Sequence, residues 1–503
     1  MMNVQTKFSE AASSLFSSAS SLFINNEFRS PKTGEGAPIS VENPATLDEL
    51  LTLAPLSTAD VDDAVAAARN AFENGPWQNM PATERARLMF KLADLMERDS
   101  ALLAELETLD NGMPTVLSNH MALPLSIEIM RYYAGWPTKL DGRTIPAAPG
   151  AANGAPTLTY TRREAVGVVA AITPWNFPLG MAILKLGPAL AAGCTVVFKP
   201  SELTPLTAMH LARLIAEAGF PEGVVNVVTG EGSIVGAHLA NHPDVDKISF
   251  TGSTEVGKSI LSAARGNLKR VSLELGGKSP VVVFADADLE KAVPGAAMAA
   301  FLLQGQNCMA GTRLFIEKPI YEAMMAGIEQ VAKDLKIGDP FAMDTMVGPL
   351  ISKAQQDRVA SYVASGVEQG AELLTGGNTH GPGHFFEPTL FSNTSSEMRI
   401  VKEEIFGPVI SAQVFDDASD LKALARRVND TQYGLSGSVW TKDLSKAHGM
   451  AHLIRSGQVA INCHGAVDIN VPFGGMKQSG WGREYGEAAL DGYLETKAIT
   501  AVL

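Results

Sequence analysis

The chain has 503 residues, 46% hydrophobic, 19% charged and 7% aromatic, the balance of a soluble globular protein too long for one core, so two or more domains are expected. A formal net charge of −14 opposes binding to nucleic acid or to an anionic membrane and leaves small molecules and other subunits as partners. Three cysteines, Cys194, Cys308 and Cys463, are too few and too scattered for a disulfide framework, which suits a reducing cytoplasm.

The N-terminal stretch MMNVQTKFSEAASSLFSSASSLF has neither a long apolar run nor the arginines of a transit peptide, and it reads as a frayed tail. Ser57 or Thr58 caps a helix with apolar residues at Val61, Val65, Ala68 and Phe72, and Asp60 complements its positive end. Helical sequence continues to about residue 140. Residues 141–164 are rich in turn formers and end in an alternating strand pattern, an excursion too long for a simple connection. Short apolar strands then alternate with helices: Val166 to Ile172, a helix from Leu179 to Ala192, Thr195 to Phe198, a helix from Thr204 to Gly219, Val224 to Val228 and Lys247 to Phe250. Apolar strands separated by helices imply a parallel sheet covered on both faces, with ligands beyond the carboxyl ends of its strands. The apolar run from Ala165 to Phe198 is broken by Pro174, Asn176, Pro178, Lys185 and Pro188, so no membrane span is expected. A second α/β stretch begins near residue 279 and runs to about 480.

Two glycine loops compete for a dinucleotide phosphate. VTGEGSIVG (228–236) has the spacing GxGxxxG, and a tight strand-to-helix turn explains it equally well. FTGSTEVG (250–257) leads from a strand through Gly252 and Ser253 into a helix whose N-terminus favours an anion, although a simple cap by Ser253 or Thr254 is the alternative. In FKPSELTP (198–205), Lys199 and Glu202 lie where both reach a ribose. A carboxylate there accepts from vicinal hydroxyls and repels a 2′-phosphate, which predicts NAD over NADP; a surface ion pair is the bland reading.

Cys308 sits in LLQGQNCMAG (302–311) with no second cysteine nearby, so it is a buried spacer or a nucleophile. Together with TPWNFP (173–178), KPSE (199–202), FTGST (250–254), LELGGKSP (273–280), GQNCMAGTR (305–313), EEIFGPV (403–409) and PFGGMKQSGWGREYG (472–486), this segment makes the chain resemble the NAD(P)-dependent, non-acylating aldehyde dehydrogenase superfamily. The resemblance implies a Rossmann-like cofactor domain (20–140 and 165–276), a catalytic α/β domain (277–480) and a β bridging arm (141–164 and 489–503) that assembles a homodimer or homotetramer. It makes Cys308 the nucleophile, Glu274 the general base for hydrolysis, and the Asn176 side chain with the Cys308 N–H the oxyanion donors. Lys185 and Glu484 become proton-relay candidates, and no metal is expected. NAD is implied to contact Thr173, Pro174, Trp175, Lys199, Glu202, Gly252, Ser253, Glu274, Leu275, Gly276, Glu404 and Phe406, with Glu404 holding the nicotinamide ribose. Cys194 and Cys463 read as structural.

Many relatives line the aldehyde tunnel with aromatics where this chain has Leu184, Leu302 and Val467, while Phe177 and Phe473 remain and Met181 is adjacent. Fewer rings leave more room, so a bulky apolar aldehyde, aryl or long-chain, is expected; His464 and Asp468 would add polarity to the same region. A semialdehyde dehydrogenase, a CoA-acylating enzyme and a non-catalytic binding protein on the same fold are the alternatives.

Overall fold

The computed structural model of the chain describes residues 8–32, 36–416 and 418–503. Four all-buried strands, Val168–Ile172, Thr195–Lys199, Val225–Val228 and Lys247–Thr251, form the centre of an eight-stranded sheet. Their side chains alternate between two apolar layers, as the period of a strand requires. Val169, Ala171, Val196 and Phe198 face the helices Pro178–Ala192 and Leu206–Ala218, while Val168, Ala170, Val197 and Ile248 face the helix Thr58–Glu73. Ser57 is the cap of that last helix, in a reciprocal capping box with Asp60.

The expected parallel sheet is mixed. Across it the order is Gly480–Trp481, Arg270–Glu274, Lys247–Thr251, Val168–Ile172, Thr195–Lys199, Val225–Val228, Leu22–Ile24 and Glu27–Arg29. The centre is parallel, but Leu22–Ile24 and Gly480–Trp481 pair antiparallel at either side and cover its edges. The N-terminal segment is therefore no frayed tail: Glu10–Ser17 is a helix capped by Ser9, with Ala12 and Leu15 buried, and the strand after it pairs with Val227 and Val228. Residues 1–7 of that expected tail lie outside the described residues. Its short apolar repeat, Ala12, Leu15 and Phe16, was the missed signal.

A seven-stranded sheet is built from residues 280–461, in the order Glu372–Thr375, Thr389–Ser392, Val409–Phe415, Arg313–Glu317, Pro280–Val283, Ser438–Trp440 and Ala460–Ile461. All its pairings are parallel except that of Glu372–Thr375 with Thr389–Ser392. A third sheet stands apart: Leu494–Val502 pairs antiparallel with Thr157–Ala165 over its whole length, and Thr144–Ile145 continues it. Among the described residues, no helix is long and apolar enough to cross a membrane.

Candidate active site

Arg270–Glu274 ends on the carboxylate of Glu274, and the chain passes through Leu275 into two glycines that other groups approach closely. A methyl on Gly276 would collide with the Glu404 carboxylate, and one on Gly277 with the Cys308 carbonyl. These contacts explain LELGG physically: the glycines let the acid-bearing strand and the thiol-bearing loop meet. The Gly277 N–H donates to Glu404 Oε1 at 2.8 Å, while Leu275 is held by its own N–H on the Ser479 carbonyl at 2.9 Å.

Cys308 follows a short turn, Leu302–Gly305, in which Leu303 and Gln304 take positive φ. It keeps some exposed surface but packs against the large core beside the Pro178–Ala192 helix. Its thiol is pushed above the ordinary range, by burial first and then by the negative charges of Glu404, Glu274 and Glu484. Asn176 is buried, and its Nδ2 donates to the Gln306 carbonyl at 2.9 Å, two residues before the sulfur. An amide nitrogen has two hydrogens, and the second makes no bond among the described residues.

Glu274 is buried, with no hydrogen-bond partner of normal geometry on either oxygen. Its carboxyl is held well above the usual range by burial and then by Glu484, against the pull of Lys185, Arg483 and the Gly475 amide. Glu484 forms a buried ion pair with Lys185, and its backbone exchanges two 2.7 Å hydrogen bonds with Phe473. Burial lifts Glu404 to about 7 against the Gly277 N–H. Phe406 next to it has positive φ and packs edge-on to Trp175 at 5.2 Å.

A second group lies at the ends of neighbouring strands. Lys199 Nζ donates to Glu202 at 3.0 Å, and Glu202 stays below its usual range because Lys199 and nearby N–H groups outweigh its burial. Thr173, before Pro174, donates its N–H to the Lys199 carbonyl at 3.1 Å. The Gly232 N–H approaches the other Glu202 oxygen at 3.3 Å, so the loop 228–236 borders the proposed ribose site instead of serving only as a turn. Ser253 caps the helix Thr254–Ala264 through the Val256 N–H, and the Gly252 N–H bonds to the Glu274 carbonyl at 3.0 Å. The first N–H groups of that helix have no intrahelical partner, as an anion-binding end requires. A half-exposed carboxylate paired with a buried lysine, beside a glycine turn and the N-terminus of a helix, fits a dinucleotide.

The proposed tunnel residues divide between two apolar groups. Met181, Leu184, Val467 and Phe473 belong with Cys308 in the large core, whereas Phe177 and Leu302 pack with Met113, Met121 and Leu303. His464 does not add polarity to a tunnel. Both its ring nitrogens are engaged, on Ser438 Oγ at 2.9 Å and the Met309 carbonyl at 2.8 Å, so it braces the residue after Cys308. Asp468 is exposed and bonded to Asn470. Cys194 is buried, as a structural cysteine should be, but Cys463 is exposed just past the strand Ala460–Ile461.

The sequence reading missed residues 107–111. From the buried end of the helix Ser100–Asn111, Glu107 accepts from the Leu179 N–H at 2.9 Å, Asp110 from the Leu206 N–H at 2.9 Å, and Asn111 donates to the Trp175 carbonyl at 2.7 Å. One segment thus fixes the start of the helix after Asn176 and the start of the helix after Glu202. Its only advance signal was a run of polar residues, Glu107, Thr108, Asp110 and Asn111, at the end of an apolar helix.

The aldehyde dehydrogenase family model matches residues 31–499. Aldehyde dehydrogenase 1A1 of Homo sapiens is 48% identical over 484 residues, covering 95% of this chain and 94% of that one. The NAD+ complex of an aldehyde dehydrogenase from Bacillus cereus superposes with a TM-score of 0.95 at 44% identity, covering 100% of both chains. An indole-3-acetaldehyde dehydrogenase, P. syringae AldA, solved with NAD+ and IAA, superposes with a TM-score of 0.92 at 41% identity and 96% coverage of each. The chain belongs to the aldehyde dehydrogenase family.

Proposed function

We propose that the chain oxidises an aldehyde to its carboxylic acid with NAD, through an acyl group carried on Cys308. The observation behind this reading is the meeting of one sulfur, one amide with a free hydrogen and one unpaired buried carboxylate. The Cys308 thiol loses its proton to water and its sulfur bonds to the carbonyl carbon as the carbon–oxygen double bond opens to an oxyanion, a reaction suited to the strong nucleophilicity of a thiolate. The Asn176 amide and the Cys308 N–H hold the resulting oxyanion. NAD, when bound, supplies the acceptor for the hydride that leaves this carbon. Glu274 then takes a proton from water as its oxygen bonds to the thioester carbon, and the carbon–sulfur bond breaks to release acid and free thiol. A carboxylate raised by burial is the stronger base for that step. Lys185 and Glu484 are positioned to pass the proton onward.

In this reading Lys199 and Glu202 hold the adenosine ribose, Gly252 and Ser253 the pyrophosphate, and Glu404 with Phe406 the nicotinamide end beside Trp175, Leu275 and Gly276. The Glu202 carboxylate favours NAD over NADP. Residues 20–140 with 165–276 form the cofactor domain, 277–480 the catalytic domain, and 141–164 with 489–503 the arm that joins subunits in a dimer or tetramer. Three cysteines without a disulfide among the described residues support a reducing compartment, the cytoplasm, in the same reading.

The substrate is a bulky apolar aldehyde, supported by Leu184, Leu302 and Val467 and by the aryl aldehyde in the name of the P. syringae relative. NADH formation across a panel of aldehydes tests this: phenylacetaldehyde should exceed acetaldehyde in kcat/KM, and equal values would refute the assignment. Loss of NADH formation in Cys308→Ala with every aldehyde tests the chemistry separately.

A further inference from the structure

Three metal-ligating side chains meet far along the chain from the thiol, on the outer layer of the first sheet. Asp62 lies in the helix Thr58–Glu73, His238 in the short helix Ala237–Asn241, and His242 caps its end. Asp62 Oδ1 stands 2.6 Å from His238 Nε2 and 3.3 Å from His242 Nε2, and one ligand atom from each residue lies within 4.8 Å of the others. Among the described residues, Asp62 forms no ion pair with lysine or arginine; Lys32 pairs instead with Asp63. The carboxylate is aimed at two imidazoles four residues apart, with rings 5.7 Å apart and perpendicular.

We infer that Asp62, His238 and His242 bind a divalent transition-metal ion that clamps the helix Thr58–Glu73 to the segment after the glycine loop 228–236. Ligands about 2.1 Å from a tetrahedral metal stand about 3.4 Å apart, close to the present separations, so small side-chain rotations admit the ion. Two nitrogens and one oxygen select zinc, cobalt, nickel or copper over magnesium or calcium. The fourth position is left to water.

Two hydrogen bonds must change: the one between Asp62 and His238 gives way to the metal, and one at His242 is lost. The His242 Nδ1 accepts from the Asp244 N–H at 3.1 Å, so metal at Nε2 moves the ring proton to Nδ1 and gives up that hydrogen bond in exchange for the metal–ligand bonds. The clamp acts near the cofactor end because the glycine loop it secures carries the Gly232 N–H to Glu202.

Cobalt(II) titration of the full chain tests the site, because its visible bands report ligand type and two other ligand sources, Cys308 and the exposed Cys463, give a separate sulfur signature. The expected result is one cobalt per chain with visible bands and no near-ultraviolet sulfur-to-cobalt charge transfer. Asp62→Asn and His238→Gln should each weaken binding by more than the about 10- to 100-fold typical of losing an outer-shell partner. Zinc should raise the melting temperature of the parent chain and not of these variants, whose circular dichroism and NADH formation without metal should match the parent. Absence of saturable binding, sulfur charge transfer, or affinity unchanged in both variants would overturn the site.

Discussion

The sulfur of Cys308 faces Glu404, Glu274 and Glu484, whose charges follow burial in holding its proton. Ionisation of the thiol is therefore part of the reaction instead of a property of the resting site. Neutralising one of those carboxylates removes a repulsion that acts only on the thiolate, so Glu274→Gln should lower the thiol pKa. The rate of Cys308 alkylation by iodoacetamide should then rise at lower pH than in the parent chain, and an unshifted profile would contradict the electrostatic assignment. Asn176 makes a sharper split. Asn176→Ala should lower kcat/KM by about 100- to 1000-fold, the loss typical for one oxyanion donor, while Cys308 is still alkylated at close to the parent rate. Equal loss of both would make Asn176 a packing residue.

The helix Ser100–Asn111 extends this logic from side chains to backbone. Glu107 is buried and lifted to about 7 by that burial, opposed by its bond to the Leu179 N–H. The folded state therefore favours the protonated acid over the unfolded state, whose carboxyl titrates near 4.5. Its stabilising contribution is complete below that lower value and is lost as pH rises through about 7. Glu107→Gln cannot ionise and keeps an oxygen for Leu179, so melting temperature measured against pH should fall less across that interval than in the parent chain. A parallel fall would place the titration elsewhere. This element also shows where reading the sequence stops. KPSE, FTGST and LELGG were legible because each sits where an apolar strand ends and polar chemistry begins. Glu107, Asp110 and Asn111 serve residues between 64 and 96 positions away, and nothing in local spacing marks such a partnership. The contact of the loop 228–236 with Glu202 was hidden for the same reason: it arises from strand order, not from glycine spacing.

At the level of the molecule, two sheets carry the proposed chemistry and a third projects from them with Ile145, Leu158, Val502 and Leu503 exposed. The open edge of Leu494–Val502, with apolar side chains exposed nearby, invites pairing with another chain. Removal of residues 494–503 should reduce the mass measured by light scattering from that of a dimer or tetramer to a smaller species; an unchanged mass would move the interface elsewhere. Alternating apolar strands made the two α/β regions readable, but the antiparallel edges were not, because Leu22–Ile24 and Gly480–Trp481 are too short to show a period and reach their sheet from opposite ends of the chain. Every proposed role depends on an acyl group passing through Cys308 and leaving with help from Glu274. Rapid quenching of Glu274→Gln with aldehyde and NAD, followed by mass spectrometry, measures this directly: the expected result is a burst of NADH and one acyl group on the peptide containing Cys308. Steady turnover at the parent rate, or acylation of any other residue, would contradict it.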